Sequence, residues 1–224
     1  MYALKGGGNL RFFLKSVRYS EDIDLDVRTM SAATLRNHVD RVLQAVPFLQ
    51  TLRAQQIEIA SFTAPKQTDT TQRWKIQLRV GNASVPTKID FSRRGLDEGS
   101  VYESVEPQII HHYRLYPVFV QHYTAKAAFL QKINALASRK QTQSRDVFDL
   151  KLLLDAGEGK DPLPPKFQEL LPQAIESAMA VGYDAFKGQV WAYLEPEYQD
   201  HYQNRGVWEA LQEEVVDALG ALRP

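Results

Sequence analysis

The chain has 224 residues, 44% of them hydrophobic, 10% aromatic and 24% charged, a balance that excludes a disordered tail, a collagen-like chain and a coiled coil. Its 27 basic and 27 acidic residues cancel and it has no cysteine, so disulfides, thiolate nucleophiles and cysteine–zinc sites are excluded. No run of 18 apolar residues occurs and the start, Met1 to Gly8, lacks the shape of a signal peptide, so no membrane is expected as a partner and the expected setting is cytoplasmic.

In chain order, residues 2–5 read as a short strand and Gly6-Gly7-Gly8-Asn9 as a turn. Leu10, Phe13, Leu14 and Val17 then recur at helical spacing. Ile23, Leu25 and Val27 alternate with Asp22, Asp24 and Asp26, the period of a strand whose apolar side enters a core. Ser31 is placed to cap a helix over roughly residues 32–46, with Pro47 just past its end. The middle reads as β, with strands at 57–59, 74–80, 85–91 and 118–123, and Gly81-Asn82 as a hairpin turn. From Thr124 the pattern turns helical, over 125–137 and 145–154, joined by a polar linker at 138–144. After Gly157-Glu158-Gly159 and Pro162, Pro164 and Pro165 come helical stretches at 167–179, 183–193 and 207–222.

The neutral total hides an asymmetry. Residues 1–154 carry 22 Lys and Arg against 14 Asp and Glu, and residues 155–224 carry 5 against 13. The first part would attract phosphates and the last would repel them, although two differently solvated faces give the same count. The sign change coincides with the Gly/Pro break. The expected organisation is therefore a mixed α/β domain over residues 1–156 and an acidic helical domain over 157–224.

The most informative stretch is Arg18-Tyr19-Ser20-Glu21-Asp22-Ile23-Asp24-Leu25-Asp26. On a strand, Asp22, Asp24 and Asp26 share one face, with neighbours about 6–7 Å apart. Like charges that close repel unless a cation sits between them. Oxygen-only ligands suit Mg²⁺, which uses one or two carboxylates and substrate phosphates; Mn²⁺ is the alternative ion. The plain alternative is a solvated acidic edge strand. Upstream, a strand, three glycines and a helix form a phosphate-binding arrangement, since glycines let backbone approach an anion and a helix start offers free N–H groups. Asp90, on the strand at 85–91, is a third carboxylate if that strand neighbours the Asp22–Asp24 strand, and three carboxylates can serve phosphoryl transfer.

At this point the chain resembles a known family. Leu4-Lys5-Gly6-Gly7-Gly8-Asn9-Leu10 followed by Arg18 to Asp24 is similar to the first motif of AbiEii-type nucleotidyltransferase toxins, roughly Lys-Gly-Gly-Thr-x-Leu and then Arg-x-Ser-x-Asp-Ile-Asp. Gln131-Lys132-Ile133-Asn134-Ala135-Leu136, then Arg139, then Arg145-Asp146-Val147-Phe148-Asp149-Leu150, is similar to the family's downstream Lys-x-x-Ala-Leu-x-x-Arg and Arg-Asp-x-x-Asp-Leu. The resemblance covers residues 4–155 and implies an α+β fold. Its core would be a polymerase-β-like nucleotidyltransferase sheet with flanking helices, followed by a C-terminal helical domain. It implies the toxin of a type IV toxin–antitoxin or abortive-infection system. Such a toxin transfers a nucleotide from an NTP, with Mg²⁺, for some members to the 3′ end of tRNA, and has a winged-helix antitoxin as partner.

By that resemblance Lys5, Gly6, Gly7, Arg18, Ser20, Lys132 and Arg139 would bind the nucleotide, with Gly6 and Gly7 lining the phosphate turn and Lys132 on the triphosphate. Asp22, Asp24 and Asp90 would hold metal, and Asp146 would be a base or a structural residue. Two departures stand out. Gly8 replaces the usual Thr or Ser, which removes a hydroxyl from the phosphates, and the chain starts almost at the motif strand, so an N-terminally short member is expected.

Read physically, Arg145 and Asp149 have the spacing of an i, i+4 surface pair, and Lys132 that of a lysine snorkelling from an amphipathic helix. Between Lys126 and Lys151 six basic residues face two acidic ones, enough to neutralise a triphosphate or an RNA backbone. His111, His112 and His122 have no accompanying ligand set and read as strand or loop histidines. Tyr183, Trp191, Tyr193, Tyr198 and Tyr202 sit in the acidic part and read as core or as a partner interface. The expectation is a metal-dependent nucleotidyltransferase. Its rivals are an AMP-transferring enzyme that modifies protein and a catalytically inactive binding module.

Overall fold

A computed structural model describes residues 1–28 and 30–223. The chain divides into two compact units, Met1–Gly8 with Glu21–Asp97 and Asn9–Ser20 with Glu98–Pro224.

The first unit contains β1 (Tyr2–Lys5), the opening of α1 (Gly6–Phe13), β2 (Asp22–Val27), α2 (Ala32–Leu43), α3 (Val46–Ala54), β3 (Ile57–Phe62), β4 (Lys66–Gln67), β5 (Thr71–Val80) and β6 (Ala83–Ser92). The strands lie in the order β3-β5-β6-β2-β1, with β4 on β5. The sheet is mixed: β2 and β6 are parallel, while β1/β2, β3/β5 and β5/β6 are antiparallel. The β5–β6 turn is the expected one. Val80 faces Ala83 across it, and Gly81 supplies the left-handed φ of +59° that a tight hairpin needs.

Period-two alternation sorts the two faces. Val27, Trp74, Ile76 and Phe91 enter a core with Leu35, Val39 and Leu43, spaced by four along α2 so that one helical stripe covers the sheet. Trp74 packs edge-on to Phe91 at 5.5 Å, and its indole N–H donates to Asp40 at 2.8 Å. Ser31 caps α2, its hydroxyl accepting from the Thr34 N–H at 3.1 Å. Leu25 packs against this core, but Ile23 does not follow the alternation inward. At the open end of β2 it stays 44% exposed.

The second unit holds the rest of α1, then β7 (Ser100–Ser104), α4 (Pro107–His112), β8 (Phe119–Tyr123), α5 (Ala125–Ser138), α6 (Ser144–Asp155), α7 (Pro165–Gln168), α8 (Leu171–Met179), α9 (Tyr183–Gln189), a 3₁₀ turn (Trp191–Tyr193), α10 (Pro196–Tyr202) and α11 (Arg205–Ala221). β7 and β8 pair antiparallel. Ile133 and Leu136 of α5, Val147, Leu150 and Leu153 of α6, Ala174 and Ala178 of α8, and Leu211 and Val215 of α11 share one core. Phe186 stacks on Trp208 at 4.5 Å.

Several expectations shift. The glycines do not form a separate turn, because α1 begins at Gly6 itself. Pro47 does not follow a helix but sits in the first turn of α3, where its missing N–H has no partner to lose. The break at residues 157–159 lies inside the second unit. Gly157 and Gly159, at φ +97° and +84°, turn the chain, and helices on both sides of them enter the same core.

Candidate functional site

The face of the first sheet opposite its apolar core carries charge in rows. Strand register places Lys5 beside Asp24, Asp24 beside Asp90 and Asp90 beside Arg73, one row of two cations flanking two carboxylates across four strands. The adjacent row runs Asp22, Lys88, Lys75. Same-face neighbours in adjacent strands are close enough to interact directly. Lys88 Nζ donates to Asp22 at 3.0 Å. Both guanidinium edges of Arg73 donate to Asp90, at 2.6 and 2.7 Å. Lys5 pairs with the buried Asp26. The bond to Asp90 raises the Arg73 pKa above its ordinary value, with Asp22 and Asp24 contributing through their charge.

The glycine segment meets this row at Asp24. Gly6 has φ +64°, and a Cβ on it would lie 2.6 Å from Asp24 Oδ2. The backbone therefore approaches the carboxylate more closely than any side chain allows. Gly6, Gly7 and Gly8 open α1, so their N–H groups fall among those left without helical partners. Gly8 is tolerant, since a Cβ there would meet only the two methyls of Leu4, at 3.5 and 4.0 Å.

A divalent cation fits part of this set. Asp22 and Asp24 offer only oxygen ligands from one strand face, and the cradle at Gly6 keeps side chains away from Asp24. One or two carboxylates are what Mg²⁺ takes from a protein when substrate phosphates complete its shell. Asp90, expected as the third metal carboxylate, differs: both its oxygens are taken by Arg73. Among the described residues no three acidic or histidine side chains gather as a metal site.

The second unit assembles the downstream motif into a buried ion network. Lys132 Nζ lies 2.8 Å from Asp146 and 2.7 Å from Asp149. Arg18 donates to both oxygens of Asp149, at 3.1 and 3.0 Å. Arg139 Nε lies 2.9 Å from Asp146 Oδ2, though that oxygen receives no well-directed hydrogen bond, so charge alone holds the contact. Asp146 and Asp149 are wholly buried, and 11% of the Lys132 side chain is exposed. Burial alone would lower the Lys132 pKa, but the two carboxylates outweigh it and hold the ammonium above its ordinary value. Burial likewise works to raise Asp149, and Lys132 and Arg18 overturn it, leaving that carboxyl below its ordinary value. Lys132 is therefore not a snorkelling surface lysine, and Asp149 is not half of a surface pair with Arg145.

The other expected positions are plainer. Ser20 is half-buried in the second unit. His122 is buried, stacks on Phe13 at 3.5 Å and places Nδ1 2.9 Å from Asn9 Oδ1. Burial pushes its pKa down, as expected of a packed histidine. Motif reading missed Arg73 and Lys88. The signal was the alternation of β5 and β6, which puts Arg73, Lys75, Lys88 and Asp90 on one face, but only strand register pairs them.

Two crystal structures share the architecture. JHP933 from Helicobacter pylori is 18% identical, with 98% of this chain and 85% of that one covered at a TM-score of 0.59. A candidate nucleotidyltransferase from H. pylori is 19% identical, with 100% and 89% covered at 0.60. No curated protein sequence matches the chain. The mixed sheet sets Asp24 beside Asp90 and the glycine-led helix against Asp24, and the family match makes the chain a nucleotidyltransferase. The family model described as nucleotidyl transferase AbiEii toxin, type IV TA system, matches residues 1–221, and the chain belongs to that family.

Proposed function

We propose that the chain transfers a nucleotide from an NTP, with Mg²⁺ or Mn²⁺, to a hydroxyl acceptor, the 3′ end of tRNA, as the toxin of a pair whose partner is a winged-helix antitoxin in the cytoplasm. The observation that carries this reading is the close approach of Gly6 to Asp24, which sets the start of α1 against a carboxylate of the kind a metal takes. Asp22 and Asp24 would hold the cation, which supplies charge neutralisation to the phosphates. The N–H groups of Gly6 to Gly8 would receive phosphate oxygens at the positive end of α1. The acceptor hydroxyl gives up its proton to solvent as its oxygen attacks the α-phosphorus, a new P–O bond forms, and the bond to pyrophosphate breaks. Catalysis by such a site is mainly positioning and charge stabilisation. Lys132 and Asp146, bonded to each other and buried, support the reading that they act by holding α5 and α6 in place.

The test is incubation of the protein with each α-³²P-labelled NTP, Mg²⁺ and total cellular RNA, beside Asp22→Ala and Asp24→Ala. Label in tRNA-sized RNA that both substitutions abolish is the expected result. Label on protein bands instead replaces the RNA acceptor with a protein one. Label on neither overturns the proposal in favour of a binding module.

A further inference from the structure

No motif points to Arg73, yet it makes the best-formed polar contact of the charged face. Its guanidinium is forked on both oxygens of Asp90, at 2.6 and 2.7 Å, the two-point geometry that suits arginine to carboxylates and phosphates alike. The Arg73 side chain is 45% exposed and that of Asp90 15%, so the arginine covers the carboxylate from the solvent side. A cation that takes Asp90 competes with this fork for the same two oxygens. Once displaced, the arginine carries an unpaired fork one strand from Asp90 and two from Asp24. Lys88 stands in the same relation to Asp22, at 3.0 Å, but as a single-point donor.

We propose that Arg73 and Asp90 form an exchangeable pair that couples divalent-cation binding to triphosphate binding. Asp90 passes from the guanidinium to the cation, and the guanidinium passes to the phosphates. The inference rests on the metal and triphosphate site read above. It makes Arg73 a phosphate-binding residue and explains how Asp90 can serve a metal while paired in the free protein. The coupling is reciprocal, since whatever frees Arg73 helps the nucleotide and whatever removes Arg73 helps the metal.

Opposite signs for the two ligands separate this role from a structural one, because a substitution that merely loosens the sheet weakens both. Mn²⁺ is titrated calorimetrically into wild type, Arg73→Gln, Arg73→Lys and Asp22→Asn, with circular dichroism confirming the fold. The α,β-methylene analogues of ATP, CTP, GTP and UTP are then titrated at saturating Mn²⁺. Arg73→Gln should bind Mn²⁺ alone about fivefold more tightly and the preferred analogue about tenfold more weakly, within the usual range of coupling between sites. Arg73→Lys should restore the Mn²⁺ affinity and part of the analogue affinity. Unchanged or weaker Mn²⁺ binding by Arg73→Gln overturns the exchange. Mn²⁺ binding by Asp22→Asn that equals wild type overturns instead the metal reading beneath it.

Discussion

Gly6 and Asp24 touch where no side chain could stand between them: a Cβ on Gly6 would lie 2.6 Å from Asp24 Oδ2, in a backbone at φ +64°. Gly81 has nearly the same φ, +59°, with nothing within 4 Å of its Cβ position. Alanine at Gly81 should therefore show backbone strain alone, about 1–2 kcal/mol. Alanine at Gly6 carries that strain and also pushes the carboxylate away. Urea denaturation should give a larger loss for Gly6→Ala than for Gly81→Ala, accompanied by weaker Mn²⁺ binding. Equal losses for the two would refute the close approach.

Gly8 lies in the first turn of α1 with room for a side chain, its nearest neighbour being Leu4 Cδ1 at 3.5 Å. Family relatives carry Thr or Ser there by the resemblance drawn above. Both Gly8→Ala and Gly8→Ser should leave stability equal or raise it by up to about 1 kcal/mol, since glycine is a poor helix residue. Only Gly8→Ser adds a hydroxyl at the phosphate turn. Titration with the methylene analogues should show tighter binding for serine and none for alanine, and equal behaviour would remove Gly8 from the phosphate site.

Asp149 is wholly buried and satisfies two cations, Arg18 and Lys132. Removing its charge strands both, so Asp149→Asn should cost about 3–5 kcal/mol. Lys126, paired with Asp161 with both side chains largely exposed, is the comparison, and Lys126→Ala should cost at most about 1 kcal/mol. Denaturation midpoints measured with activity matter here. If Lys132 or Asp146 variants lose activity in step with stability, their place in the family motif reflects the buried network. Full stability with lost activity would return Lys132 to direct contact with the triphosphate.

The alternation of Asp22, Asp24 and Asp26 with apolar neighbours was legible because a period of two is local. So were the Ser31 cap, the Gly81-Asn82 hairpin and the helices around Lys132 and Asp146. What pairs across the chain was not. Asp24 faces Asp90 through a parallel register that only the completed sheet defines, and Arg73 reaches Asp90 from a third strand. Arg18 and Asp149 are 131 positions apart, so the local Arg145–Asp149 spacing drew the eye to the wrong partner. Ile23 obeys the alternation and still stays exposed, because alternation assigns a face and not its cover. Pro47 misled for a related reason, as a proline past one helix and a proline in the first turn of the next look alike in sequence.

The buried network also sets how stability responds to pH. Asp149 is held below its ordinary 3.8 by Lys132 and Arg18, against the opposing effect of burial. Its contribution is therefore full above that value and is lost as pH falls through its lower folded value, because the unfolded chain binds the proton first. Lys132 is held above its ordinary 10.5 by Asp146 and Asp149, again against burial. Its contribution is full below 10.5 and is lost as pH rises through its higher folded value. His122, lowered by burial, adds a milder loss as pH drops below about 6.5, where the unfolded imidazole takes a proton that the folded one refuses. The urea midpoint should be flat from about pH 7 to 9 and fall on both sides. Below pH 4 the fall should approach about 1.4 kcal/mol per pH unit for each such carboxylate. Relative to its own plateau, Asp149→Asn should lose one proton's worth of that acid slope and also shrink the alkaline limb, since Lys132 then keeps only Asp146 to hold its ammonium above the ordinary value. An acid slope identical to wild type would mean that the charge on Asp149 does not hold the helices together.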